Sequence, residues 1–179
     1  MGVVAVVVSC ALAAPAAADP RFGVMADVGV PDGANAAVVV RPIRAVRIHA
    51  GMSHNYVSKG VRGGVTLAPF GSAVQPILAF DYGHYFDGDA NPLARMIMGD
   101  SSYQNEALDK VGYDYANLHA GLEFGRKWFT FYLHAGMSRV TGDLHGLSSQ
   151  SASVTFSQDP KLTMWTPSAR LGFVFYLVK

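Results

Sequence analysis

The sequence predicts an all-β chain: eight antiparallel strands that run up and down and close into a transmembrane β-barrel. Three observations predict it. Half of the residues are hydrophobic and only 15% are charged, against about 25% in soluble domains. Yet beyond residue 18 no apolar run reaches the roughly 20 residues that a membrane helix needs. Period-two alternation recurs through the rest of the chain, one face apolar and the other mixing glycine with charge.

The elements follow in order. The first 18 residues read as a secretory signal peptide, with VVAVVVSCALAA as the apolar stretch and Ala16-Ala17-Ala18 as a small-x-small cleavage site before Asp19. The single cysteine, Cys10, lies within it. The domain at 19–179 is therefore expected to rely on packing or a closed sheet rather than a disulfide. Strand one is expected over Arg21 to Val30, with Phe22, Val24, Ala26 and Val28 opposite Gly23, Met25, Asp27 and Gly29. Pro31 to Asn35 has turn chemistry. Strand two, Ala36 to Arg41, is expected to stop at Pro42, which cannot donate to a ladder.

Strand three, Arg44 to Ser53, sets Val46, Ile48, Ala50 and Met52 against Arg47, His49, Gly51 and Ser53. Strand four, Val61 to Ala68, sets Val61, Val65 and Leu67 against Arg62, Gly64 and Thr66. Strand five, Ala73 to Tyr85, sets Leu78, Phe80 and Tyr82 against Ile77, Ala79, Asp81 and Gly83. A long polar connection is expected over 86–112, with a helical turn at Leu93 to Met98. Strand six, Tyr113 to Phe124, sets Leu118, Leu122 and Phe124 against Asn117, His119, Gly121 and Glu123. Strand seven, Trp128 to Val140, sets Phe129, Phe131 and Leu133 against Thr130, Tyr132 and His134. A second long, serine-rich connection covers 142–166, and strand eight, Ser168 to Val178, sets Leu171, Phe173 and Phe175 against Arg170, Gly172 and Val174.

The connections sort by side. The second, fourth and sixth (RPIR, PFGS and GRK) are tight, while the long fifth and seventh fall at the opposite end. Membrane barrels show that asymmetry. The faces point the same way. A soluble barrel packs apolar residues inside and shows polar ones outside. Here the mixed face has too many glycines and too few Lys, Thr and Gln for water. Turned inward, its small residues leave room and its charges can pair.

In this pattern the chain resembles the small outer-membrane barrels of the OmpA/OmpX/OmpW kind, over essentially all of 19–179. Its last strand alternates as theirs do, at Leu171, Phe173, Phe175 and Leu177, but it ends in Lys179 rather than an aromatic residue. The resemblance implies a bacterial outer-membrane location and porin-like architecture. It also implies outer-membrane lipid and the barrel assembly machinery as partners, and an extracellular ligand or protein at the loops. It fixes no activity, because such barrels serve as anchors, adhesins, pores, carriers or lipid-modifying enzymes.

The residues with chemistry to offer form an expected lumen polar network: Asp27, Arg47, His49, Arg62, Asp81, His119, Glu123, His134 and Arg170. Three segments echo one another, IHAGMS at 48–53, LHAGLE at 118–123 and LHAGMS at 133–138. A hydrolytic His134–Ser138 pair is excluded by reach, since residues four apart in a strand lie about 13 Å apart and a base must sit within about 3 Å of its hydroxyl. His49, His119 and His134 come from three strands without a zinc signature, and Asp87 and Asp89 lack the full calcium-loop pattern. Neither a metal nor a cofactor is expected, and no catalytic residue is assigned. The net charge of +1, from 14 basic and 13 acidic residues, gives no case for nucleic acid. The expected function is a structural or surface-interaction barrel with a closed lumen, acting through its outside loops. A narrow pore or small hydrophobic-ligand carrier comes second, and a lipid-modifying enzyme third.

Overall fold

In the computed structural model, residues 21–105, 108, 110–126, 128–144 and 161–178 are described; the expected signal peptide, the tip of the second long connection and Lys179 lie outside them. Eight strands form one closed antiparallel barrel in sequence order. They are β1 (Arg21–Val30), β2 (Gly33–Ile43), β3 (Val46–His54), β4 (Lys59–Leu67), β5 (Val74–Gly88), β6 (Val111–Arg126), β7 (Phe129–Leu144) and β8 (Lys161–Val178). A helix, α1 (Asn91–Met98), lies between β5 and β6. Every strand pairs with its chain neighbours, and β1 with β8 closes the ring through pairs such as Val24 with Phe175 and Val28 with Leu171. Closure leaves no row of unpaired backbone groups at an edge.

Several strands outrun their expected ends. β2 begins at Gly33, so only Pro31 and Asp32 remain as the turn, and it continues through Pro42. The ladder accommodates the proline by slipping between Val40 and Ile43, since a residue without an N–H is tolerated only where a rung is missing. β5 to β8 carry 15, 16, 16 and 18 residues, against 9 to 11 in β1 to β4. The first long connection therefore spans 89–110 rather than 86–112. For the second, β7 reaches Leu144 and β8 starts at Lys161, so 142–144 and 161–166 of the expected 142–166 are strand. The extra length stands on the loop side, where Gly88 pairs with Val111 and Val111 with Leu144. Polar and apolar residues alike extend there as strand because each adds ladder bonds to a neighbour, whatever its side chain.

The tight end is built from compact turns. Gly71 has a left-handed φ of 60°, donates its N–H to Gln75 Oε1 at 2.6 Å and accepts from Arg44. At the loop end, α1 carries Pro92 in its first turn, where a proline is well suited, and stops at Gly99, whose φ of 69° lets its N–H reach the carbonyl of Arg95. The buried Asn91 side chain pins this connection: its Oδ1 accepts from the N–H of Asn105 at 2.8 Å.

Candidate functional site: the filled lumen

Alternation decides what enters the barrel. Along β6 the outward Leu118 and Leu122 are 57% and 46% exposed, while His119 and Glu123, next to them in the chain, are 1% and 5% exposed. The same inversion runs round the ring. Phe80, Leu133, Leu171 and Phe173 are exposed, while Asp27, Arg62, Asp81 and Arg170 are buried. A protein folded in water shows the opposite arrangement. The apolar band on β7, Phe129 to Met137, is nine residues long. At about 3.3 Å per residue and a tilt of about 40° it rises about 23 Å, close to the height of a hydrocarbon-facing band.

All nine residues of the expected network are buried within the barrel. Two carboxylates and two guanidiniums make its centre. Arg62 grips Asp27 with both terminal nitrogens, at 3.1 and 2.6 Å. Asp27 also accepts from Asn35 at 2.7 Å and from the Tyr132 hydroxyl at 2.8 Å. Arg170 donates to Asp81 at 2.8 Å and to Asp32, and its Nε lies 3.6 Å from Asp27. His49 Nε2 lies 2.7 Å from the other oxygen of Asp81. Each carboxylate thus faces several donors, the condition under which buried charge is tolerated. A separate group closes the tight-turn end: Arg47 of β3 reaches across to Glu123 of β6, which also accepts from Gln75 at 3.2 Å.

Asp32 is the member that sequence reasoning missed. It belongs to the turn after β1, yet it is 1% exposed and meets Arg170, while Asn117 donates to it at 2.8 Å. The expected balance of three acids against Arg47, Arg62 and Arg170 is therefore corrected to four acids: Asp27, Asp32, Asp81 and Glu123. Above this level Tyr85 donates to the Asp32 carbonyl and stacks on Tyr113, with Tyr115 beside it. No period-two rule speaks for a turn residue, so only the inward fold of the β1–β2 hairpin reveals it.

The inner glycines are seats for neighbouring side chains. A Cβ placed on Gly64 would lie 2.7 Å from Asp81 Oδ1 and 2.8 Å from the His49 ring, and one on Gly172 would lie 2.8 Å from the Tyr132 hydroxyl. Between the central knot and the Arg47–Glu123 pair, Met25, Val39, Ile77 and Val174 form an apolar layer. The cavity there measures about 20 Å3, room for about one water molecule.

The histidines divide. His49 joins the knot. His119 Nε2 lies 2.8 Å from Ser168 Oγ, and the His119 and His134 rings meet edge to face at 4.7 Å. His119 and Ser168 are both buried, so this contact across β7, which replaces the excluded His134–Ser138 arrangement, is part of the lumen packing. Among the described residues no three His, Cys, Asp or Glu side chains are grouped to hold a metal ion.

No family model matches the sequence, and no curated protein matches it. Among solved structures, a major outer membrane protein from Thermus thermophilus aligns over 89% of this chain and 100% of that one, with 12% identity and a TM-score of 0.44. Identity and TM-score of this size establish no kinship, and the closure of the barrel rests on its strand pairing.

Proposed function

We propose that the chain is a bacterial outer-membrane barrel of structural or surface-interaction type, closed to solutes and acting through its loop-side surface. The observation that carries this reading is the inverted polarity: charge buried within the ring, aliphatic and aromatic side chains exposed round it. Only a hydrocarbon surround makes both faces favourable at once. The closed lumen rests on the knot round Asp27, Asp81 and Arg170 and on the cavity of about 20 Å3. The loop-side contact surface rests on α1, where Met96, Ile97 and Met98 are exposed, and on Tyr56 in the β3–β4 turn. Lipid and the assembly machinery are its expected partners, with an extracellular ligand or protein at the loops.

A narrow pore is the competing reading. It draws on the buried polar atoms Asn117 Oδ1, Ser138 Oγ and His134 Nδ1, which have no protein partner and would suit a file of water. An enzyme ranks third, since the His119–Ser168 pair is buried among the side chains of the lumen.

Fractionation and conductance test the proposal. The expressed protein is expected in the membrane fraction, and the refolded protein should show heat-modifiable gel migration and a silent planar bilayer. Recovery as a soluble, compact monomer without detergent would overturn the membrane reading. Reproducible single-channel steps would overturn the closed lumen and promote the pore.

A further inference from the structure

The lipid-facing surface of the short strands is not uniform. Across β1, β2 and β3 it sinks into a groove of about 440 Å3, floored by Ala26, Ala36 and Ala50 and walled by Val38, Met52 and Phe173. The register builds it: Ala26 pairs with Ala36, Val38 with Ala50, and Ala36 with Met52, so short side chains lie side by side. Phe173 stands beside Ala26 on β8, and Met52 is 65% exposed at the groove's loop-side wall.

Directly beyond that wall the outer surface changes character. His54 follows Met52 on the same face of β3 and pairs with Lys59 of β4, which sets an ammonium and an imidazole on adjacent strands, about 5 Å apart at Cβ. Both side chains are exposed, and among the described residues no carboxylate pairs with either. Of the nearby exposed acids, Asp114 is engaged by His84 at 2.9 Å and by Tyr82 at 3.1 Å, and Asp87 holds an oxygen against Gly112. The groove ends and the Lys59–His54 pair begins within one strand repeat of about 7 Å.

We infer that this surface holds one phosphate-bearing anionic lipid, its acyl chain in the Ala26–Ala36–Ala50 groove and its phosphate on Lys59 and His54. The inference rests on the membrane reading above. Each half alone would be ordinary: an apolar groove takes any chain, and a surface lysine takes any anion. Their order along the strands is what selects a lipid. The apolar part lies within the band, the donors lie at its loop-side rim, and a headgroup phosphate is tethered to its chain in the same order. The groove favours a chain over annular solvent because the alanines let it approach the backbone between Met52 and Phe173, where more atoms reach van der Waals contact.

Retention of phosphatidylglycerol tests this. The full protein is refolded into phosphatidylcholine nanodiscs doped with phosphatidylglycerol, and the lipids that survive detergent extraction are counted by native mass spectrometry. The wild type should keep one phosphatidylglycerol in preference to phosphatidylcholine. Lys59→Gln and His54→Gln should each lower that preference, roughly fivefold for the lysine, and Ala36→Leu, which fills the groove while sparing both donors, should lower retention too. Equal retention by wild type and the Lys59→Gln/His54→Gln protein would overturn the headgroup site, and a silent Ala36→Leu would overturn the groove. Heat-modifiable migration is read on the same samples. Its absence from the wild type would count against the membrane reading itself, whereas its presence with no lipid preference would sink only this inference.

Discussion

Arg170 and Phe173 lie on one strand, three residues apart, and live in opposite solvents. Arg170 is 3% exposed and reaches Asp27, Asp32 and Asp81; Phe173 is 44% exposed and faces outward. The difference teaches that this barrel's charges and its hydrocarbon are held by different physics. Inside, each charge is tolerated because partners from distant strands converge on it, and removing one leaves the rest uncompensated. Outside, no partner is needed, and what counts is the cost of bringing charge into lipid. Moving a guanidinium across the wall should therefore be costly in both directions, for unrelated reasons.

The largest effect is expected from emptying the inside. Arg170→Met would take from Asp32 the guanidinium it meets and leave Asp27 and Asp81 with Arg62, and stability should fall by about 3–5 kcal/mol, measured as the urea dependence of the folded band in detergent micelles. An unchanged midpoint would mean that water, rather than Arg170, satisfies the carboxylates, and the closed lumen would be lost with it. Somewhat smaller is the reverse transfer. Phe173→Arg should cost about 2–4 kcal/mol in lipid vesicles, with the folded band retained in short-chain detergent, where the outer surface tolerates charge better. Equal loss in both media would break the contrast between the two faces. The smallest is Tyr132→Phe, which removes one hydroxyl donor from Asp27 while leaving Arg62 in place. A hydrogen bond to a charged group is worth about 1.5–3 kcal/mol, so the midpoint should shift in the same direction as Arg170→Met but less. A double-mutant cycle of the two would sharpen the comparison: coupling is expected, because both side chains lie against Asp27, and additivity would show that the knot does not act as a unit.

The alternation legible in the chain is a property of strand geometry. Successive Cβ atoms point to opposite faces, so a run such as Leu118-His119-Ala120 carries its own sorting of lipid from lumen. The tight turns were readable for a similar local reason, since Gly71 sits where a left-handed φ is required. The strand ends were not. Beyond the apolar band neither face has to be apolar, and β5 to β8 continue through residues of mixed character on ladder bonds that leave no mark in composition. Pro42 shows the converse: a residue that forbids a rung ended the expected strand, whereas the actual strand passes it by slipping register.

By itself, then, the sequence determined the eight alternating segments, the apolar side that points outward, and which residues share the inward face, because each depends only on neighbours along one strand. Who meets whom inside was decided by closure alone. Arg47 finds Glu123 across the lumen, Arg170 gathers acids from β1, the β1–β2 turn and β5, and Asp32 reaches in from its turn to join them. Arg47 and Glu123 are 76 positions apart in the chain, and Arg170 and Asp32 are 138 apart. Such meetings depend on the register and curvature of the whole ring, which no local run of residues encodes.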